Sequence, residues 1–146
     1  MITTSKEPGM GRFSVDVELA NNEDLSLAKS GHLKPEQVRR VRIRGVVDSG
    51  ATRLVIPESV ATQLGVPKSG QTAVRYADGR ADQKTIVDNV HLELLGRSSV
   101  FRAIVEPDRN SILIGAIVME DLDFLIDCVA QKLVPRDPDM IVSEIE

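Results

Sequence analysis

The stretch VVDSGATRLVIP, residues Val46 to Pro57, sets an acid, a hydroxyl and a glycine between two apolar runs. Asp, Ser and Gly are common turn residues, so this triplet alone can be an ordinary polar turn. Here, however, an apolar strand pattern ends at Asp48, and Gly50 permits another part of the backbone to come close. Two interpretations follow: a simple turn, or a rigid loop that holds a carboxylate at the edge of a core for chemistry.

The composition is that of one acidic domain. The length of 146 residues fits a single domain with a substantial core, so any two-fold symmetric site requires two chains. Acidic residues outnumber basic ones 22 to 18, and the net charge is -4. The basic segment VRRVRIRG, Val38–Gly45, alternates apolar residues with arginines and predicts a strand with one solvated face. We therefore expect no nucleic-acid partner.

The sequence also gives no indication of a membrane segment or of a metal site. No apolar run is long enough to span a bilayer, and residues 1–10 contain no hydrophobic signal region, so we expect no membrane partner and a cytoplasmic location. The single cysteine, Cys128, cannot form an intramolecular disulfide, which agrees with a reducing compartment. Its apolar context, FLIDCVAQKLV, predicts a buried structural thiol. Two histidines without partners at ligand spacing predict no metal site.

The first half of the chain contains two strand patterns around a long excursion. RFSVDVELA alternates apolar and polar residues and predicts the first strand, and VRRVRIRGVV predicts the strand that leads to Asp48. Between them, Asn21–Gln37 predicts a short helical turn at most. After the DSGAT stretch, a short helix is expected with Pro57 in its first position and Gly65 as its stop.

The second half of the chain predicts more strands. TAVRYADGRADQKTIVDNVHLELLG indicates two strands around a turn at ADGR, and SSVFRAIVEP and SILIG indicate two more. A helical turn in AIVMEDLDF and a closing strand or hairpin in FLIDCVAQKLVP follow. With no alternation of strands and long helices, these patterns predict a mainly antiparallel sandwich or closed barrel.

In their order, these motifs resemble the retropepsin-like aspartic proteases, the homodimeric family that includes the retroviral enzymes. The triplet Asp48-Ser49-Gly50 followed by Ala51 and Thr52 is similar to the catalytic loop of that family. VRYADGRA falls at the position of its flap hairpin, and ILIGAIVMEDLDF is similar to its apolar-apolar-Gly signature and following helix. The resemblance is closest to small single-domain bacterial members. Several ordered motifs are far more specific than the triplet alone.

The resemblance implies a fold and a division of the chain. The expected fold is mainly β, the retropepsin-like acid protease fold, a closed β-barrel with a flap hairpin and one or two short helices. Residues 11–138 would form the single domain, with a flexible tail at residues 1–10 and a second tail at residues 139–146. The C-terminal tail is expected to be either disordered or a strand added to a partner. Gly115 would lie where the ILIG strand passes beneath the catalytic loop.

The resemblance also implies a site. The implied catalytic residues are Asp48, Ser49 and Gly50, and Ser49 would tie the two loops together across a homodimer. The implied activity is an aspartic endopeptidase that needs no cofactor or metal and acts on a protein or peptide substrate. Residues expected to bind that substrate are Ala51, Thr52, Tyr76, Ala77, Asp78, Gly79 and Arg80. Apolar residues expected near the cleft are Val55, Val105 and Ile114.

Two departures and two alternatives accompany this interpretation. Many retroviral members carry an acid and an arginine that form an ion pair where this chain has Thr52 and Ala116. Both partners are absent together, so neither charge is left stranded. One alternative is a catalytically silent homodimeric module that binds peptides or mediates dimerisation. The other makes Ser49 or Cys128 a nucleophile, although the two histidines show no matching spacing.

Overall fold

The structure of this chain is a computed structural model that describes residues 12–146, and the tail predicted at residues 1–10 lies outside the described residues. None of the helices in this described part is long and apolar enough to cross a membrane. The elements in chain order are β1 (Arg12–Asn21), α1 (Asn22–Lys29), a 3-10 helix (Pro35–Gln37), β2 (Arg40–Asp48), β3 (Leu54–Pro57), α2 (Glu58–Leu64), β4 (Lys68–Arg75), β5 (Ala81–Leu94), β6 (Arg97–Glu106), β7 (Ile112–Ile114), α3 (Ala116–Leu122), β8 (Phe124–Asp127) and β9 (Lys132–Pro135).

Six strands close into a barrel. The main sheet has the order β1-β2-β7-β3-β6-β5-β4, and β1 also pairs with β5, so the first six strands of this order form a ring. The β2–β7 and β3–β6 pairs are parallel, and the other pairs are antiparallel. The hairpin of β4 and β5 extends beyond the ring. The predicted mainly β, closed-barrel fold with a flap hairpin is confirmed.

The pairing of β1 with β2 explains why arginines alternate with apolar residues in the basic segment Val38–Gly45. Asp16 lies opposite Arg44, and Glu18 lies opposite Arg42, in the antiparallel register. These pairs form ion pairs of 3.1 and 3.8 Å on the solvated face. Val17 and Val47 point to the other face and are almost fully buried. Arg42 and Arg44 therefore lie on the solvated face of a half-buried strand, as predicted.

One apolar core fills the barrel and extends beneath α2 and α3. The largest fully buried side chains are Leu19, Leu54, Ile56, Leu64, Leu92, Leu94, Ile112, Ile114 and Leu122. Helix α2 ends at Gly65, whose φ of 65° favours glycine, as the sequence predicted. The predicted place of Pro57 was wrong by one position. Pro57 is the last residue of β3 and caps α2 in an extended conformation, because its ψ of 154° is not helical.

The excursion between β1 and β2 is more ordered than the helical turn that was expected. It contains the two-turn helix α1, whose first turn is capped by the Asn21 side chain accepting a hydrogen bond from Asp24 N at 3.0 Å. The Asn21 amide also donates to Leu64 O at 2.8 Å. The buried Asp24 carboxylate accepts from Arg39 N, Nε and Nη2 at 3.0, 2.8 and 3.0 Å. This polar cluster fastens the excursion to the barrel and to α2.

We expect Asp24→Ala to destabilise the fold. The change removes the acceptor of the Arg39 backbone N–H and guanidinium, at an expected cost of about 2–3 kcal/mol in the free energy of unfolding. Hydrogen bonds from Arg39 hold the pKa of Asp24 below its ordinary value. The folded state thus binds this proton less readily than the unfolded state, so the stabilisation is complete above the ordinary carboxyl pKa and is lost as the pH falls through the folded value.

Urea unfolding of Asp24→Ala and wild type from neutral to acidic pH measures this effect. The two proteins should differ most at neutral pH and converge in acid. Glu23→Ala removes an exposed carboxylate from the same helix turn and should leave the free energy of unfolding nearly unchanged. A pH-independent difference between Asp24→Ala and wild type would contradict the assigned role of the carboxylate.

The C-terminal part contains a hairpin and an anchored segment. Cys128 lies in the turn between β8 and β9 and is exposed, so the predicted buried thiol was wrong. The reason is local: Asp127 Oδ1 accepts from the backbone N–H groups of Val129 and Ala130, which turns the chain out of the sheet at this point. Farther on, residues 136–146 form neither helix nor strand, and Val142 N donates to Asp123 Oδ2 at 3.1 Å.

Candidate active site

The loop after β2 holds the Asp48 carboxylate in a tight turn. Ala51 N donates to Asp48 O at 3.1 Å, and Gly50 N donates to Asp48 Oδ1 at 2.9 Å. The Asp48 side chain remains 22% exposed, so it is fixed by the loop and still accessible to solvent. Ser49 is exposed at the outer side of the same turn. A fixed and accessible carboxylate is suited to proton transfer.

The loop is supported from below by the end of β7 and the start of α3. Ala116 N donates to Ala51 O at 2.8 Å, and Ile117 N donates to Thr52 O at 2.9 Å. A Cβ atom at Gly115 would lie 2.5 Å from Arg53 O and 2.6 Å from the Thr52 carbonyl carbon. Only a residue without a side chain fits at such a distance from backbone. The close approach expected at Gly115 is therefore confirmed.

Arg12 is a neighbour of Asp48 that the sequence did not indicate. Its Nε lies 3.5 Å from Asp48 Oδ2, because β1 pairs with β2 in a register that sets these two residues opposite each other. The Arg12 side chain is 54% exposed, so the contact is a solvated ion pair of small energy. Only the strand register reveals this contact, and the residues themselves contain no signal of it.

A cleft of about 430 Å³ lies between the loop, the hairpin and the barrel wall. Its lining residues are Gly50, Ala51, Thr52, Arg53, Val55, Thr72, Ala73, Val74, Arg75, Tyr76, Ile104, Glu106, Arg109 and Leu113. Of the residues predicted to form the site, the loop residues Gly50 to Thr52 and the hairpin residue Tyr76 meet at this cleft. Asp48 and Ser49 precede Gly50 at the edge of the cleft and are not among its lining residues. The predicted residues 77–80 do not line it either and form the exposed tip of the hairpin.

The hairpin tip is a closed turn with its own contacts. Tyr76 N donates to Arg80 O at 2.8 Å, and Gly79, with a φ of 89°, donates its N–H to Tyr76 O at 2.9 Å. Arg80 pairs with Asp78 at 2.7 Å and lies over the Tyr76 ring, 4.8 Å from its centroid. Hydrogen bonds from Arg80 lower the pKa of the exposed Asp78 carboxyl. The tip therefore has a defined shape before anything binds.

A second set of contacts ties the hairpin to the barrel wall. Tyr76 Oη donates to Glu106 Oε2 at 2.8 Å, and Lys84 Nζ lies 3.1 Å from Glu106 Oε1. The Glu106 carboxylate raises the pKa of Tyr76 through this hydrogen bond and raises the pKa of Lys84 in the same way. Sequence reasoning missed Glu106 and Lys84, because only the folded barrel brings β6 beside the hairpin.

The apolar wall of the cleft differs from the prediction in two strands, by one position in each. Val55 lines the cleft as expected, whereas Ile114 is fully buried in the core and Val105 faces the side of α2. Their neighbours Leu113 and Ile104 line the cleft instead. Successive side chains of a strand point to opposite faces, so an error of one position moves a residue from the cleft to the core.

The hydrogen bonds of residues 12–146 do not support a nucleophile at Ser49 or Cys128. No hydrogen bond joins Ser49 or Cys128 to a histidine in this part of the chain, and His32 Nδ1 instead contacts Ser30 Oγ at 3.0 Å. The same residues contain no group of three or more His, Cys, Asp or Glu side chains arranged to hold a metal ion.

Comparisons with known proteins agree with this geometry. The model of a family described as aspartyl protease matches residues 35–118, which is more than half of the chain and includes the Asp48 loop, the hairpin and Gly115. Among solved structures, the chain is similar to EIAV protease complexed with the inhibitor HBY-793. The TM-score is 0.54 at 18% identity, over 91% of this chain and 99% of that chain, a likeness of fold. No curated protein matches the chain.

Proposed function

Since this chain belongs to the aspartyl protease family and has a retropepsin-like fold, we propose that it is an aspartic endopeptidase assembled from two identical chains. Each chain contributes one Asp48, and two-fold pairing brings the two carboxyl groups together. The observation that carries the proposal is the fixed, accessible Asp48 carboxylate beside a cleft covered by a hairpin. A cleft of this kind accepts an extended peptide.

The proposed chemistry is general acid–base catalysis by the pair. Two carboxyl groups a few ångströms apart do not both ionise readily, so the pair shares one proton. The ionised Asp48 takes a proton from a water molecule, whose oxygen attacks the peptide carbonyl carbon, while the protonated Asp48 donates to the carbonyl oxygen. The tetrahedral intermediate then collapses, the C–N bond breaks, and a proton goes to the leaving amine. No covalent enzyme intermediate forms.

Several contacts support this assignment of roles. The Gly50 N–H orients Asp48 Oδ1, and the exposed Ser49 hydroxyl is available to a second loop across the dimer. Among the strands of residues 12–146, β4 pairs with β5 alone, so its other edge is open to a peptide strand. Tyr76, fastened to Glu106, places a ring over the cleft, where it reduces access of water to the reacting groups.

The test of this proposal is the dependence of activity on assembly. We expect the activity per chain to rise with protein concentration and then level off, in parallel with the dimer fraction from sedimentation velocity on the same samples. The substrate is a peptide chosen from a diverse pool by mass spectrometry. If a sample that sediments as a monomer at every concentration retained full activity per chain, the shared active site would be untenable.

The alternative of a silent module with the same fold predicts a different result. Such a protein would form dimers and bind peptides but would leave the pool intact. The Asp48 carboxylate argues against it, because a site that only binds neutral peptide has no need of an acid at this position. Cleavage that depends on Asp48 would exclude the silent module.

A further inference from the structure

Three arginines line the cleft, namely Arg53, Arg75 and Arg109. Within the described residues, none of the three forms an ion pair with a carboxylate. The one acid among the lining residues, Glu106, is already engaged by Lys84 at 3.1 Å and by Tyr76 at 2.8 Å. The arginines of the cleft therefore keep their positive charge without compensation from the cleft itself.

Arg109 is held in place by neutral partners. Its Nε donates to Ser111 O at 3.1 Å, and its Nη2 donates to Ser111 Oγ at 3.3 Å. The residue is half-buried in the connection between β6 and β7. Neither acceptor is charged, so these contacts position the guanidinium but leave its charge available. A positioned guanidinium of this kind is suited to bind a carboxylate with two hydrogen bonds.

Most arginines of the described residues that do not line the cleft are paired with acids. Those that form ion pairs with carboxylates of the same chain are Arg12, Arg39, Arg42, Arg44, Arg80, Arg102 and Arg136. Among the described residues, Arg40 and Arg97 form no such pair, and Arg97 donates to backbone carbonyls instead. The whole chain has a net charge of -4, so its general surface repels anions weakly. A positive cleft in an acidic protein attracts an acidic ligand to that place rather than to the surface as a whole.

The proposed Asp48 pair does not cancel this charge. It would contribute one negative charge per dimer, because the two carboxyl groups share a proton. Each chain brings three cleft arginines, and Arg12 already lies 3.5 Å from Asp48 Oδ2. The cleft of an assembled dimer would therefore remain positive.

We propose that the cleft binds peptides that combine apolar side chains with a nearby Asp or Glu, an inference that rests on the proposed peptidase function. Val55, Ile104 and Leu113 form the apolar wall that receives the apolar side chains. The carboxylate of the acidic residue binds the cleft arginines, chiefly Arg109. A peptide with Gln at the same place keeps the shape but loses the charge, and a peptide with Lys is repelled.

Binding is measured with the Asp48→Asn protein, so that the peptides remain intact. The probes are fluorescein-labelled decapeptide mixtures with apolar residues at the two central positions and a fixed Glu, Gln or Lys at each flanking position in turn. At one or more positions we expect the Glu mixture to bind at least about tenfold more tightly than the Gln mixture, as for a hydrogen-bonded charge pair. The Lys mixture should bind most weakly.

Matched variants in the same Asp48→Asn background locate the effect. Arg109→Gln should remove most of the preference for Glu while its affinity for the Gln mixture stays unchanged, which also shows that the cleft is intact. Arg75→Gln tests the same preference for Glu at the cleft arginine that the hairpin contributes. Arg44→Gln removes an equal charge from an exposed pair with Asp16 outside the cleft and should leave the preference unchanged.

Cleavage by the protein with Asp48 intact separates this inference from the proposed function. A Glu preference in binding that Arg109→Gln removes, without cleavage of any mixture, would support the acidic-peptide site and refute the peptidase. Cleavage that depends on Asp48 but treats Glu, Gln and Lys alike would support the peptidase and overturn the inference. Equal binding of the three mixtures, or a Glu preference that Arg44→Gln removes as fully as Arg109→Gln, would also overturn it.

Discussion

Asp48→Asn should abolish peptide cleavage while the protein remains a folded dimer. Asparagine keeps the shape of the side chain and an oxygen that accepts from Gly50 N, but it cannot ionise and so cannot act as the general base. The general acid–base contribution alone is roughly 10²–10⁴-fold, so we expect at least that loss in the cleavage rate. Mass spectrometry of a diverse peptide pool, with both proteins in parallel, measures it.

Three companion experiments define the role of Asp48. Asp16→Asn changes an exposed carboxylate on β1 that is paired with Arg44, and it should retain activity. Excess Asp48→Asn mixed with wild type should lower the activity, because mixed dimers have one carboxylate. A serine nucleophile would instead be inactivated by Ser49→Ala and less affected by Asp48→Asn. That reversed pattern would refute the aspartic mechanism.

Gly115→Ala should cause the second large effect, a loss of both stability and activity. The added Cβ would meet backbone atoms of Thr52 and Arg53 at 2.5–2.7 Å, and backbone cannot move aside as the end of a flexible side chain can. We expect a cost of about 3 kcal/mol in the free energy of unfolding, at the upper end for overpacking. The Asp48 loop would shift with the neighbouring backbone, so the remaining folded protein should also cleave more slowly.

Gly96→Ala is the matched control for Gly115→Ala. Gly96 lies in the turn between β5 and β6 with a φ of 84°, and a Cβ there meets nothing within 4 Å. Its substitution should cost only about 1–2 kcal/mol through backbone strain and leave cleavage intact. Urea unfolding and the peptide assay measure both variants. Equal effects of the two variants would show that the close approach at Gly115 is not a special constraint.

Much of the barrel could be predicted because its strands and turns leave local patterns in the sequence. The alternation in RFSVDVELA and VRRVRIRGVV marks β1 and β2, and the ADGR turn marks the β4–β5 hairpin. Helix α1 was underestimated, since part of its support is distant: Asn21 donates to Leu64 O, and Asp24 binds Arg39. Contacts between residues far apart in the chain leave no periodic signal.

The parts of the candidate site that a single sequence motif forms were predicted. The parts that depend on contacts between distant strands were missed. The roles of the DSGAT loop and of Gly115 were expected from the ordered motifs that resemble the retropepsin-like family, and a close backbone approach such as that at Gly115 requires glycine. Arg12 beside Asp48 depends on register alone, and Glu106 beside Tyr76 depends on barrel closure. The exposure of Cys128 was missed for a different reason, since the Asp127 turn ends β8 before the apolar residues Cys128, Val129 and Ala130.

The position of β7 also determines when the Asp48 loop can form during synthesis. This strand lies between β2 and β3, and the two N–H groups that hold the loop belong to residues 116 and 117, more than sixty residues after Asp48. A nascent chain that has emerged only as far as the β4–β5 hairpin lacks this support. Barrels of such long-range pairing fold slowly compared with helical bundles. The proposed activity would therefore require residues up to at least Ile117 to have left the ribosome.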